Sequence, residues 1–177
     1  PIESKVFPIR PSLMWEKSSP LGRPAKAFQG DDFYLAENLD PVALITYYND
    51  TKFESLESKR KKKESKLLKE KKDIFYPTYN ELKKEEEQVN PELVFTIRDE
   101  NKEIIKKIFK PVSKGLNRIK WNLRYESMYP VLKGFSKSGS NSRGTLVNPG
   151  TYSVEMLLVE NENITQLSKP INFEVIA

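Results

Sequence analysis

The fold is decided by the stretch Gly115-Leu-Asn-Arg-Ile-Lys-Trp-Asn-Leu-Arg124, and a second stretch, Pro149-Gly-Thr-Tyr-Ser-Val-Glu-Met156, repeats its pattern. In the first stretch, the apolar side chains of Ile119, Trp121 and Leu123 alternate with polar ones. Successive side chains on a strand point to opposite faces, so this period of two predicts strands with one buried and one solvent-facing side. The two stretches therefore predict part of a sheet, with Trp121 in its core.

Composition excludes most kinds of catalytic site. The 177 residues include no Cys and no His. Disulfides, thiol nucleophiles and Ser-His-Asp or Cys-His catalysis are therefore impossible, and the usual zinc ligands are missing. Carboxylate chemistry, hard-cation binding or no chemistry at all remain, and no cofactor is indicated. No apolar run approaches the roughly 20 residues that span a bilayer.

Residues 1–30 predict an extended, Pro-rich arm. Five prolines interrupt this segment, and proline fixes the backbone and removes a hydrogen-bond donor, which disfavours a helix or a central strand. The apolar residues between the prolines indicate that the arm lies against its own domain, joins a preceding domain, or does both. Residues 31–177 then form the β domain, beginning with a short predicted strand at Phe33 to Leu35.

Residues 51–90 predict a charged helical hairpin inserted between strands. The first helix has a thin apolar stripe among many lysines, with possible ion pairs between Glu57 and Lys61 and between Lys66 and Glu70. The second begins at Thr78, where Thr-Tyr-Asn-Glu81 has the spacing of a capping box. The contacts expected at the bend are Ile74, Phe75, Tyr76 and Tyr79.

The remaining sequence predicts further short strands with polar turns between them. Such strands at intervals of roughly 8 to 12 residues are typical of a β-sandwich. We therefore predict a mainly β chain, an Ig-like (fibronectin III-like) antiparallel β-sandwich with the helical hairpin as an insertion.

The chain resembles the C-terminal β-sandwich domain of secreted bacterial proteins of the sortilin-like or BNR-repeat glycosyl hydrolase-like type. The two alternating stretches carry the resemblance, and Ala36-Glu-Asn-Leu-Asp-Pro41, Tyr76-Pro-Thr-Tyr79 and Pro111-Val-Ser-Lys-Gly115 extend it over nearly the whole chain. It implies an exported protein, periplasmic, cell-surface or extracellular, in which a β-propeller precedes this domain. The hydrolase part of the family's name refers to that propeller. The resemblance therefore implies a noncatalytic accessory module that braces the propeller or contacts a protein or glycan partner, with no catalytic, cofactor-binding or metal-ligating residue.

Aromatic residues are the candidates for glycan or partner contact. A flat exposed ring can cover the apolar face of a sugar. Tyr125 and Tyr129 follow the strand predicted within Gly115 to Arg124, and Trp15 lies in the arm. The competing interpretation is that these rings pack against the domain or anchor loops.

The basic run in the first helix is the candidate for polyanion contact. Its excess of positive charge would attract phosphates or anionic lipids. The helix has no interleaved aromatic residues and no broad apolar face, so nucleic acid is not favoured and a solvated lysine-rich helix is the competing interpretation. The acidic stretch Glu85-Glu-Glu87 on the next helix could neutralise part of the charge. The residues of this candidate surface are Lys59, Arg60, Lys61, Lys62, Lys63 and Lys66.

Paired carboxylates are the last candidates. Asp31 with Asp32, and Asp99 with Glu100, are neighbours in sequence and fall at expected turns, which favours solvated turn residues over a catalytic pair. Calcium binding by such residues stays open, although no loop has an EF-hand pattern.

Overall fold

The computed structural model describes residues 3–15, 40–127, 144–161 and 163–177, and in these ranges the chain is mainly β with two helices. The predicted mainly β class is confirmed. The elements in chain order are β1 (Lys5–Val6), β2 (Ser12–Leu13), β3 (Ala43–Asn49), α1 (Leu56–Lys69), α2 (Tyr79–Glu86), β4 (Glu92–Arg98), β5 (Ile104–Pro111), β6 (Gly115–Trp121), β7 (Gly150–Glu160), β8 (Asn163–Gln166) and β9 (Ile171–Ile176).

The strands form two sheets. The smaller has the order β1-β3-β6, and the larger has the order β2-β9-β7-β4-β5, with β8 also pairing with β7. Paired strands are antiparallel, except that β2 runs parallel to β9. Some paired strands therefore follow each other in the chain, whereas others are far apart in sequence.

The arm supplies one short edge strand to each sheet. β1 pairs with β3 and β2 pairs with β9, while Pro8 and Pro11 lie between the two. This suits proline, which has no N–H to donate and is tolerated at sheet edges. Residues 3–15 thus lie against their own domain. Residues 16–30, and the strand predicted at Phe33 to Leu35, lie outside the described residues.

One core joins the two sheets, and Trp121 lies in it. Trp121 of β6 is fully buried, as its alternation with Ile119 predicted. Its ring centroid lies 5.4 Å from that of Tyr152 on β7 and 6.0 Å from that of Phe173 on β9. Side chains from the smaller sheet therefore meet side chains from the larger one, and they belong to a single buried cluster.

Residues 51–90 connect β3 to β4 and contain both helices. The Ser55 hydroxyl accepts a hydrogen bond from the Ser58 N–H at the start of α1. At the start of α2 the Thr78 hydroxyl accepts from the Glu81 N–H, and the Glu81 carboxylate accepts from the Thr78 N–H at 2.8 Å. The predicted capping box is confirmed.

The two helices are held by contacts with each other and bury nothing. The Leu56 N–H donates to Gln88 Oε1 at 2.7 Å, so the start of α1 lies beside the chain that leaves α2. One turn further along α1, Arg60 pairs with Glu85. No residue of either helix is buried.

Two expectations for this segment were wrong. Glu70 pairs with Lys72 and not with Lys66, because Glu70 lies at the helix end, where the chain leaves the helical path. The aromatic side chains expected as contacts at the bend are instead open to solvent, with Phe75 87% and Tyr76 86% exposed. The short helices offer no apolar surface wide enough to cover them.

Candidate functional site

Trp15 lines a groove between the arm and the outer face of the smaller sheet. The groove has a volume of about 600 Å³, and Trp15 is half-buried in it. Across the groove Lys120 pairs with Asp40 at 2.7 Å, and Arg118 Nε donates to the Thr46 hydroxyl at 3.2 Å. The groove thus combines one ring with hydrogen-bonding groups, a combination that suits a sugar.

The other two aromatic candidates are not brought to this groove. Tyr125 is half-buried and packs against the core cluster, and its N–H donates to the Thr145 carbonyl at 2.9 Å. Tyr125 is not among the residues that line the Trp15 groove. Tyr129 lies outside the described residues.

Arg60 is the central cation of the helical insertion, residues 51–90. Its guanidinium lies 2.8 Å from Glu85 on α2 and 2.8 Å from Glu64 one turn along α1. Hydrogen bonds to these two carboxylates raise the pKa of Arg60 further above its already high value. The stretch Glu85 to Glu87 was expected to neutralise part of the basic run, and Glu85 does so by pairing with Arg60. Glu87 instead pairs with Lys83 of α2.

Most other acids of the insertion are also occupied. Glu57 pairs with Lys61 and Glu54 pairs with Lys62, and these hydrogen-bonded lysines lower the pKa of each glutamate. The predicted pair of Glu57 and Lys61 is confirmed. Glu81 is used by the capping box, and the backbone hydrogen bond from Thr78 lowers its pKa.

Several lysines of the candidate polyanion surface are left without a carboxylate. Among the described residues, these lysines make no ion pair, so their charge is available to a ligand. Lys59, Lys63 and Lys66 follow one another at spacings of four and three, which places them on one side of α1. Two lysines outside the candidate surface, Lys69 at the end of α1 and Lys71 just after it, also make no ion pair with any described residue.

A groove in the insertion brings aromatic and basic side chains together. It has a volume of about 640 Å³ and lies between α1 and the segment that leads into α2. Phe75 and Tyr76 line it together with Lys59, Lys63 and Lys84. Sequence reasoning found the lysines and the rings separately and missed their proximity, because it considered each helix alone.

The carboxylate pairs do not converge on a site in the part of the chain that is described. Asp99 Oδ1 accepts a hydrogen bond from the Glu103 N–H at 2.8 Å, so Asp99 stabilises the turn between β4 and β5. Asp31 and Asp32 lie outside the described residues. Within those residues, no group of three or more Asp or Glu is arranged to hold a metal ion. None of the described helices is long and apolar enough to cross a bilayer.

Comparisons with known proteins found no relative: no family model, curated protein or solved structure matches the chain significantly.

Proposed function

We propose that this chain is a noncatalytic accessory module: an Ig-like, fibronectin III-like β-sandwich that presents a helical hairpin to a partner. In this proposal the two sheets are the framework and the helical insertion is the contact device. The module follows a β-propeller in an exported protein and braces it.

The strand order supports the sandwich. Apart from the short strands β2 and β8, which also belong to the larger sheet, β1, β3 and β6 form one sheet and β4, β5, β7 and β9 form the other. The fibronectin III-like arrangement divides its seven strands between two sheets in this way. In addition, the Tyr152 hydroxyl donates to the Asn148 carbonyl at 2.7 Å, four residues upstream. This bond resembles the tyrosine corner of Ig-like domains.

The role as a contact device rests on one observation: the insertion adds nothing to the core and still orders its own side chains. No residue of α1 or α2 is buried, yet caps and ion pairs hold both helices. Ordering each residue costs roughly 1 to 2 kcal/mol of conformational entropy. The insertion does not offset this cost by burying apolar side chains, whereas binding to a partner would offset it.

Deleting the insertion tests this role. The Leu56 N–H lies 2.7 Å from Gln88 Oε1, so a short Gly-Ser bridge in place of residues 56–88 closes the gap without moving β3 or β4. We expect the bridged variant to unfold cooperatively, with a melting temperature within a few degrees of the intact chain. A variant that fails to fold would show that the insertion belongs to the structural framework and would overturn the proposal.

The β-propeller context rests on the resemblance of the alternating stretches. The sequence upstream of Pro1 tests it directly. Repeated Ser-x-Asp-x-Gly-x-x-Trp blocks there are the expected result, and an unrelated domain would contradict this part of the proposal.

Glycan binding at the Trp15 groove is the second candidate function. The observation that favours it is a half-buried indole beside Asp40 and Lys120, whose polar groups could bond sugar hydroxyls. A glycan array should then give hits that the Trp15→Ala variant loses, while Tyr125→Ala keeps them. An array without hits for the intact chain would exclude this function.

A further inference from the structure

The far end of the helical insertion carries exposed apolar side chains. We call residues 66–76, the last turn of α1 and the segment after it, the tip. The start of α1 and the chain after α2 lie beside the turn between β7 and β8, where Leu56, Gln88 and Asn161 line one hollow. A helix of 14 residues, at about 1.5 Å per residue, places the tip roughly 20 Å from that attachment.

The tip exposes four apolar side chains to solvent. Phe75 and Tyr76 are almost fully exposed, Leu68 is 65% exposed and Ile74 is 39% exposed. We call these four residues the apolar patch: Ile74, Phe75 and Tyr76 line the groove between α1 and the segment that leads into α2, and Leu68 lies in the last turn of α1. Patches of this kind, bordered by polar residues, commonly mark sites of protein or membrane contact.

The charge around this patch is positive. In the described structure, Lys66, Lys69 and Lys71 make no ion pair, whereas Glu70 of the tip is paired with Lys72. Asp73 is the other acid of the tip. The unpaired lysines continue along α1 to Lys63, which lines the same groove as Phe75 and Tyr76, so positive charge lies close to the two rings.

We propose that the tip docks on the anionic surface of a lipid bilayer, with Phe75, Tyr76 and Leu68 entering the headgroup region and the lysines contacting anionic lipids. This rests on the proposed role of the insertion as a contact device and names its partner. Aromatic and leucine side chains lower their free energy at the boundary between headgroups and acyl chains, and nearby lysines are attracted to anionic lipid.

The aliphatic part of the patch favours a bilayer over a hydrated polyanion. A nucleic acid could stack its bases on Phe75 and Tyr76, and a sulfated glycan could pair with the lysines. Neither offers an apolar phase to Leu68 and Ile74, whereas a bilayer does. The flanks of α1 remain polar, as the sequence indicates, so contact is limited to the tip and the helix does not lie flat on the membrane.

Vesicle binding by the intact chain tests the proposal. The probes are vesicles of phosphatidylglycerol and phosphatidylcholine in equal parts and vesicles of phosphatidylcholine alone, used in sedimentation assays at low salt. We expect binding to the anionic vesicles, weaker binding as salt is added, and little binding to the neutral ones. Equal binding to both, or to neither, would overturn the proposal.

Matched variants locate the contact. Lys66→Gln with Lys69→Gln should lower the affinity by about 25-fold, since each lysine near an anionic surface contributes about fivefold. Lys107→Gln with Lys110→Gln on the edge strand β5 removes the same charge from another exposed site and should have a much smaller effect. Equal losses in the two variants would show that net charge alone is responsible and would overturn docking through the tip.

Separate measurements test the apolar side chains of the tip. In a Phe75→Trp variant the new indole should shift its emission to shorter wavelength when anionic vesicles are added. Phe75→Ser with Tyr76→Ser should lose about tenfold in affinity, and Phe109→Ser, an exposed ring on β5, should lose little. Circular dichroism checks that the helices persist in each variant. If the Phe75→Trp variant binds vesicles without a shift in its emission, no ring enters the bilayer and the proposal is overturned.

Two other ligands separate this inference from the proposed function. Capture by heparin or single-stranded RNA, lost in the Lys66→Gln and Lys69→Gln variant, with no vesicle binding would overturn the lipid partner and leave the contact device intact. Failure to bind vesicles, heparin and RNA would overturn the bilayer as partner, and the deletion of residues 56–88 would still test the role of the insertion.

Discussion

Trp121 and Tyr152 pack against each other where the two sheets meet. Trp121 Nε1 donates to the Arg124 carbonyl at 3.0 Å, so its one polar atom is satisfied inside the core. Tyr152 packs edge-on against it and sends its hydroxyl to the Asn148 carbonyl. Both residues thus combine apolar packing with one hydrogen bond, which lets a large ring be buried without the cost of an unpaired polar atom.

Trp121→Ala should unfold the domain or destabilise it severely. Removing a buried aromatic side chain costs about 3 to 5 kcal/mol, a large share of the stability of a small domain. Chemical denaturation monitored by circular dichroism measures the loss. Phe109→Ala, at an exposed ring on β5, is the control and should stay within about 0.5 kcal/mol of the parent. A Trp121→Ala protein as stable as the control would show that the core is built differently.

Tyr152→Phe should lower the free energy of unfolding by about 1 to 2 kcal/mol, because it removes the hydroxyl and leaves the Asn148 carbonyl without that donor. Urea denaturation of the two proteins at neutral pH measures the difference.

Tyr152 also predicts that stability depends on pH. Burial raises the pKa of Tyr152 above the ordinary 10.0, so its folded form favours the protonated phenol. The stabilisation is complete below pH 10.0 and is lost as the pH rises through the higher folded value. Urea titrations at increasing alkaline pH should show a smaller fall in the free energy of unfolding for the variant. An identical fall in both proteins would show that Tyr152 does not cause the pH dependence.

The stability of the two helices depends on the contacts at their ends. Helices this short are marginal in water, so caps and ion pairs decide whether they form. Just after α1 and its C-terminal cap, Glu70, comes Lys71 in the left-handed region, at a φ of 54°. There the Lys72 N–H donates to the Leu67 carbonyl and the Lys71 N–H donates to the Leu68 carbonyl. This is the Schellman arrangement, and glycine is the residue that adopts it without strain.

Lys71→Gly should therefore stabilise α1 by about 1 kcal/mol, because a non-glycine residue is strained in the left-handed conformation. Far-ultraviolet circular dichroism during heating measures this as a later loss of the helical signal. Lys69→Gly removes the same charge two residues earlier, inside the helix, and should destabilise α1 by up to about 1 kcal/mol. If both variants shift the transition in the same direction, the cap assignment is wrong.

Buried contacts are distributed unevenly over the molecule, and we expect the same of its local stability. The buried cluster draws on both sheets, whereas the helical insertion contributes no buried residue. Segments without buried apolar contacts open at lower free energy than the core of the same protein. The surface that we propose for contact with a partner is therefore also the part that can most readily change its conformation on binding.

Heating should separate these two parts. We expect the helical signal in far-ultraviolet circular dichroism to fall before the fluorescence of buried Trp121 changes, because α1 and α2 can fray while the sheets stay folded. In the variant that lacks residues 56–88 the early phase should disappear and the later one should remain. Coincident transitions in the intact chain would instead show that insertion and sheets unfold as one cooperative unit.

Local patterns in the sequence determine much of this protein. The alternation around Trp121 predicted β6 and its buried face, because the period of two is a property of a single strand. The spacing of Thr78 and Glu81 predicted the start of α2, because a capping box is closed within four residues. The ion pair of Glu57 and Lys61 likewise depends only on neighbouring turns of one helix.

Only the tertiary structure decided what lies between distant segments. Asn49 fits a glycosylation pattern with Thr51, yet it is fully buried and its amide donates to the carbonyls of Thr51 and Ser113. Neither the two sheet edges occupied by the arm nor the exposure of Phe75 beside unpaired lysines could be predicted from sequence. Periodicity and caps act within a few residues, whereas burial, strand pairing and the making of a surface depend on which distant segments the folded chain brings together.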